Sequence, residues 1–449
     1  MPSILWFRRD LRCRDNPALR AAAENGPVLG LFVLDPGLWR NAGPARRAWL
    51  AANLRSLDQS LEGNLCVRLG RASSEVPRAV AELGADQLHV ANDYTPYGRA
   101  RDRAVVEALP DGVEGIATGS PYAVAPGTIT NGSGAPYRVF TPFSRAWRAH
   151  GWPDPVQAPR HVEWAELEDD EQVGSVLDAA LADAPPSMPE PGEEAAWRRF
   201  RSFVESDVEE YADQRNHPGA DRTSRLSPYL KLGLLHPRQL LAGTAGSRGK
   251  GARTFENELA WRDFYADVLF HNPASAWQDL RPVAGMTYDD RSDAVEAWKR
   301  GATGFPIVDA GMRQLLAEGW MHNRVRMITA SFLTKDLHVW WPVGARHFRD
   351  HLVDGDLASN NHGWQWVAGT GTDAAPYFRV FNPVTQGMKF DEHGDYVRRW
   401  VPELAHLSGK AVHQPWDAED GYAHGYPQRI IDHARERLVA LERYQQGRD

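Results

Sequence analysis

Short apolar runs separated by longer amphipathic stretches mark the first part of the chain. "SILWF" (3–7), "VLGLFVL" (28–34), "LCVRLG" (65–70) and "DQLHVA" (86–91) read as strands buried on both faces. Helical patterns stand between them. "RDNPALRAAAEN" carries an Asp/Asn start signal with Pro17 at an early helical position; "PARRAWLAANLRSLDQSLEG" and "SSEVPRAVAELG" follow. This alternation predicts an α/β doubly wound sheet over residues 1–130. From there to residue 192 the chain is rich in turn formers and proline, as in "WPDPVQAPR" and "APPSMPEPGEE", and predicts a surface connector. From Glu193 the apolar positions recur at spacings of three and four, in "EEAAWRRFRSFVESDVEEYADQR", "RTFENELAWRDFYADVLFHN" and "IVDAGMRQLLAEGWMHNRVRMITASFLTKDL". That period predicts an all-α domain over 193–449.

Composition narrows the classes. The chain has 449 residues, an ordinary 42% of hydrophobic and 24% of charged residues, and 17 tryptophans, most of them in the helical half. So many indoles imply large buried aromatic area, stacking surfaces or a redox path. Cys13 and Cys66 have no metal spacing and fit a reducing cytoplasm. No signal peptide or membrane span is evident, no metal site is expected, and no helix pattern demands a partner, so a monomer is expected. The net charge of −8 argues against nucleic acid, but "EWAELEDDE" (163–171) concentrates acids in the connector and leaves a local basic groove possible. "FRRDLRCRDN" follows the first strand where a glycine-rich dinucleotide turn would stand, which speaks against an ordinary NAD site.

Four segments carry candidate chemistry. In "TSRLSPYLKLG", Thr223, Ser224 and Ser227 precede a helical stretch and read either as a capping cluster or as an anion site. In "ENELAWRDF", Glu258 and Trp261 share a helix face; the carboxyl is either solvated or, beside an indole in a pocket, biased to its neutral form. In "WMHNRVRM", Arg324 and Arg326 read as a helix C-terminal charge pattern, as partners of acids or as phosphate ligands. "DGDLASNNHGWQWVAGTGTDAAPYFRVFNP" (354–383) crowds carboxylates, amides and two indoles into what reads as a loop.

In this order, and with the opening "LWFRRDLRCRDNPAL", these segments resemble the photolyase and cryptochrome family along essentially the whole chain, most nearly its class I cyclobutane pyrimidine dimer photolyases. The resemblance implies an antenna-binding α/β domain and a helical domain that holds FAD and binds UV-damaged DNA. It implies light-driven electron transfer from reduced FAD to a flipped-out dimer. By motif match, Tyr211, Thr223, Ser224, Arg225, Leu226, Ser227, Phe255, Glu258, Arg262, Asn323, Arg326, Asp354, Gly355, Asp356 and Asn360 are the expected FAD neighbours. Glu258, Trp261, Asn323, Met327 and Trp366 correspond to the dimer pocket, and Arg215, Arg324 and Arg379 to phosphate contacts. Trp364 and Trp341 match the inner members of the family's tryptophan chain for flavin reduction. Tyr288 stands where the outer tryptophan is expected, so the path ends on that tyrosine or detours through Trp340.

For the antenna, Gly98 occupies a position where folate users carry Glu, while Asp93 and Lys231, with Arg9 and Phe32 nearby, resemble deazaflavin users. The expectation is 8-hydroxy-5-deazaflavin, with 5,10-methenyltetrahydrofolate as the alternative; Thr95 departs from an acidic residue often found there. A cryptochrome photoreceptor and a (6–4) photoproduct enzyme are the rival readings. The Glu258, Trp261, Asn360, Trp366 and Met327 set, and the lack of a long tail after "QQGRD", speak for dimer repair. His322 and His362 are not expected to be catalytic.

Overall fold

The computed structural model describes residues 1–247, 249–373 and 379–446. Residues 374–378, within the 354–383 block, lie outside them. By contacts the chain divides into two units, residues 1–209 with 224–273, and residues 210–223 with 274–449.

The first unit is built on five parallel strands, β1 (Ser3–Phe7), β2 (Val28–Leu34), β3 (Leu65–Leu69), β4 (Gln87–Val90) and β5 (Glu114–Ala117), in the order β3-β2-β1-β4-β5. The four expected strands fall within a residue or so of their apolar runs, because burial on both faces makes those runs continuous. Strand β5 carries no such signal: "EGIA" is largely exposed and is a strand by virtue of its pairing with β4. The first helix, α1 (Pro17–Ala22), starts as its sequence requires. The Asn16 side chain accepts from Leu19 N at 3.1 Å and Pro17 opens the helix. Helices α2 (Pro44–Ser60), α3 (Ala72–Leu83) and α4 (Pro96–Glu107) complete the doubly wound arrangement.

The connector is more structured than its composition suggests. It contains α5 (Phe140–His150), with Phe143 and Trp147 buried, and α6 (Val173–Ala182). Helix α5 packs on the 22-residue helix α9 (Lys250–His271). Two carboxylates of α9 hold this segment: Asp263 accepts from Val124 N and Trp147 Nε1, each at 3.0 Å, and Asp267 accepts from Gly127 N at 2.7 Å. Helices α7 (Glu193–Ser206) and α8 (Ser227–Leu232) also belong to this unit.

The second unit is helical. Its core gathers Trp298, Phe332, Trp341, Phe348 and Trp364. The long apolar pattern from Ile307 is broken by Gly319, which ends α11 (Pro306–Glu318) in the left-handed conformation at φ +64°. A new helix, α12 (Asn323–Ser331), then begins, after α10 (Ser292–Arg300) earlier in the unit. Helices α13 (Trp341–His351), α14 (Leu357–Ala368) and α15 (His433–Gln446) follow.

Two readings are corrected here. Arg324 and Arg326 stand in the first turns of α12, with His322 as the capping residue accepting from Arg324 N at 3.1 Å, not at a helix C-terminus. The stretch expected to be a loop is mostly α14. Its Asp356 side chain caps it by accepting from Ser359 N at 3.0 Å. Asn, His and Gly are poor helix formers, but the buried face through Asn361, Trp364 and Gln365 decides the outcome.

Candidate active site

The topology places one cleft in the first unit. Strand order reverses between β1 and β4, and in open α/β sheets ligands bind beyond the carboxyl ends of strands at such a point. A cleft of about 390 Å³ lies there, lined by Arg8, Arg9, Asp10, Asn92 and Asp93 among others. Asp93 is nearly buried and accepts from Thr95 N at 3.0 Å, Thr95 Oγ1 at 2.9 Å and Arg101 at 3.2 Å. Burial alone would raise its pKa; Arg9, Arg101 and the Thr95 N–H outweigh it and hold the carboxyl below its usual range. Arg9 and Asp93 therefore share this cleft, whereas Phe32 on β2 and Lys231 on α8 are not among its lining residues. The loop that forms its floor is pinned by Leu11 N donating to Leu232 O at 3.0 Å and by Arg12 donating to Gly233 O at 3.0 Å. Gly233 is obligatory there: φ is +71°, and an added Cβ would lie 1.9 Å from the Arg9 carbonyl oxygen.

Helix α9 presents Phe255, Glu258, Trp261 and Arg262 at helical spacing. Phe255 is buried against Phe203, with ring centroids 4.9 Å apart. Glu258 and Trp261 are half-buried. Trp261 lies flat against Phe140, at 3.7 Å between centroids and 6° between planes. Composition gave no hint of Phe140, because it sits in the segment read as connector. Arg262 donates to Pro121 O at 2.8 Å and lies over the Tyr122 ring. Just before α8, Arg225 takes a positive φ of +50°, and Leu226, Ser224 and Ser227 surround it in sequence. Leu226 is the N-cap of α8, which has no side-chain capping bond, so the capping reading of the hydroxyls does not hold for this helix.

In the second unit, Arg326 and Asp354 form a bidentate pair at 3.1 and 2.8 Å, and Arg326 Nε also donates to Met321 O at 2.8 Å. Gly355 N donates to Leu352 O at 3.1 Å and Asp356 N to Asp354 O at 2.6 Å, a pair of tight turns that leads from α13 through Asp354 to the cap Asp356. Asn360 Nδ2 donates to Ala345 O at 3.1 Å and Asn361 Oδ1 at 2.8 Å, fixing its amide. Asn323 and Met327 are one turn apart on α12, the first exposed and the second half-buried. Trp364 and Trp366 are separated by about 200° around α14. Trp364 is buried, edge-on to Phe348 at 4.9 Å, and Trp366 is half-buried. His362 is buried and its pKa falls to about 4 through desolvation, so it is a neutral structural imidazole.

The structure brings Arg215, Arg324 and Arg379 into mutual range. Burial, then the charges of Arg215 and Arg379, lower the Arg324 pKa to about 10. Arg324 donates to Asn216 Oδ1 at 2.8 Å and lies over the Phe390 ring at 4.4 Å. Arg215 lies over the ring of buried Tyr211. Three neighbouring cations, two of whose charges act on the third, suit a polyanion. Among the described residues there is no metal-binding cluster, and no helix is long and apolar enough to cross a membrane.

Residues 3–160 match the sequence model of DNA photolyase, and residues 255–446 match the FAD binding domain of DNA photolyase. A relative described as deoxyribodipyrimidine photo-lyase, from Streptomyces griseus, is 42% identical over 97% of each chain. Among solved structures, a bacterial class III photolyase from Agrobacterium tumefaciens has a TM-score of 0.91 and 38% identity, covering 100% of this chain and 98% of its own. A Synechocystis cryptochrome has a TM-score of 0.89 and 26% identity, covering 98% and 99%. Matched end to end at this level of identity, the chain belongs to the DNA photolyase family.

Proposed function

We propose that this protein repairs cyclobutane pyrimidine dimers in DNA with light, using residues 1–130 to hold an antenna, 131–192 as connector and 193–449 to hold FAD and DNA. The observation that carries this reading is Glu258 one helical turn from a Trp261 ring locked flat against Phe140. The donor set fits FAD. Ser224, Arg225 and Ser227 are suited to its phosphates, with Tyr211, Thr223, Leu226, Phe255 and Arg262 as further neighbours. The Arg326–Asp354 pair, Gly355, Asp356, Asn323 and Asn360 are suited to its polar ring edge. When bound and reduced, the flavin supplies the photoexcited electron that opens the cyclobutane ring and is afterwards returned.

The chain's own groups do the rest. Arg215, Arg324 and Arg379 hold backbone phosphates without reading sequence. Trp261 and Trp366 are suited to apolar contact with the flipped-out dimer, whose pairing is already weakened, with Met327 and Asn323 as its further neighbours. Glu258 donates a hydrogen bond to a base carbonyl, stabilising negative charge as it develops on the dimer. Trp364 and Trp341 feed electrons inward to regenerate the reduced cofactor. We assign the cleft with Arg9 and Asp93 to an antenna of deazaflavin type, a reading that rests on the motif positions, Phe32 and Lys231 included, although those two do not line the cleft. Protein from its native host should show bound 8-hydroxy-5-deazaflavin; bound methenyltetrahydrofolate instead would overturn that assignment. Repair itself is tested by illuminating the chemically reduced protein with dimer-containing oligothymidylate and following the return of thymine absorbance.

A further inference from the structure

The outer end of the electron path has an arrangement that the tryptophan spacing does not reveal. Asp279 Oδ1 accepts from two indoles, Trp341 Nε1 at 2.6 Å and Trp340 Nε1 at 3.3 Å. Trp341 opens α13 and is fully buried; Trp340 is its N-cap and is 37% exposed. Inward, the Trp364 ring closes on α13 one turn further along, because a Cβ at Gly344 would lie 2.2 Å from Trp364 Cη2. Trp364 and Trp341, which share one core cluster, and Trp340 at the start of α13 are thus ordered from core to solvent. Tyr288 lies beside its outer end, 6.3 Å from Trp340 between ring centroids.

We propose that Trp340, not Tyr288, is the terminal electron donor for cofactor reduction, and that Asp279 is the positioning residue that holds Trp340 and Trp341 on one carboxylate. The inference rests on the light-driven reading above. Electrostatics give the series a direction. Lys335 is buried and lines the same cleft as Trp341 and Tyr288, its Nζ donating to Ala368 O at 2.8 Å. Its charge disfavours a positive hole on the rings that line this cleft, Trp341 and Tyr288, whereas Asp279 favours one on the two indoles it accepts from. Trp340 adds solvation of the hole, which buried Trp341 lacks.

The step balances with oxidised, photoexcited flavin as the electron acceptor. One electron leaves Trp340 and fills the vacancy on Trp341. The Nε1 proton of the oxidised Trp340 passes along its hydrogen bond to Asp279 Oδ1, leaving a neutral indole radical and a protonated carboxyl. An external thiol later returns the electron to Trp340, and Asp279 returns the proton. Oxidation of Tyr288 requires its phenolic proton to leave first or together with the electron. Although Tyr288 is 41% exposed, partial desolvation and then the Asp279 charge hold that proton on, and among the described residues no hydrogen bond to a protein acceptor contributes.

Flash photolysis of the protein carrying oxidised FAD tests this. Wild type should give a long-lived tryptophanyl spectrum, with a solvent isotope effect on its deprotonation. Trp340→Phe should lower the yield of that radical at least tenfold. Asp279→Asn, which keeps the shape, should lower it several-fold and slow the deprotonation. A tyrosyl spectrum in wild type, or full radical yield in Trp340→Phe, would overturn the terminal role of Trp340. Unchanged yield and deprotonation in Asp279→Asn would remove Asp279. Dithionite-reduced wild type supplies the separate check. If it repairs dimers while Trp340→Phe behaves as wild type, only this inference fails; if it does not repair, the underlying reading fails.

Discussion

At the scale of single residues, the strongest arguments come from groups whose environment conflicts with their charge. Arg324 is partly buried beside two other arginines; desolvation first, and then the charges of Arg215 and Arg379, lower its pKa. Bound phosphates would offset those charges. Arg324→Ala should weaken binding to damaged and undamaged duplex alike and reduce the salt slope of log K by about 1; an unchanged slope would remove Arg324 from the interface. On the proposed reading, Glu258 acts on the substrate and not on the fold. Glu258→Ala should lower the repair quantum yield several-fold while FAD binding, read from its absorbance, is retained. An unaltered yield would exclude Glu258 from the chemistry. Both residues could be named from the sequence because their motifs are local. Asp279 and Phe140 could not, since each acquires its role from aromatic rings that are distant in sequence or on another helix.

At the scale of elements, packing settled what local propensity left open. The stretch after Asp354 has the composition of a loop and is a helix because a cap and a buried face outweigh its asparagines. That change gives the two indoles opposite faces, where a turn would have left their directions undefined. Gly344 makes the close approach of α13 and α14 possible. Gly344→Ala should cost about 1–3 kcal/mol by overpacking, measured by denaturant unfolding, and should slow cofactor photoreduction by displacing Trp364. Strand β5 was illegible for the opposite reason, being set by pairing and not by apolar content. The connector's helix α5 is joined to α9 through Asp263, whose burial raises its pKa to about 6. The folded chain therefore holds a proton that the unfolded chain releases near pH 4. The stability linked to this proton is fully present below about pH 4 and is lost as pH rises through about 6, by an amount on the order of 3 kcal/mol. Asp263→Asn still accepts from Trp147 and Val124, so its urea midpoint should vary less between pH 4 and 7 than that of wild type. Equal pH dependence in both would contradict the assignment.

At the scale of the whole molecule, the net charge of −8 misleads about the partner. Acids gather in the segment around 163–171, while the arginine cluster is local, so the proposed DNA binding should depend on one face and weaken with salt. The α/β and helical halves were legible from hydrophobic period alone. The function was not: it became readable only when motifs from both halves were taken together, and family membership rests on similarity over the full length. The account stands or falls on one measurement. Fully reduced protein is mixed with oligothymidylate containing cyclobutane dimers, exposed to blue light, and followed by thymine absorbance. The account predicts recovery that requires light and scales with enzyme; no recovery from protein whose flavin is fully reduced would contradict it and favour a photoreceptor.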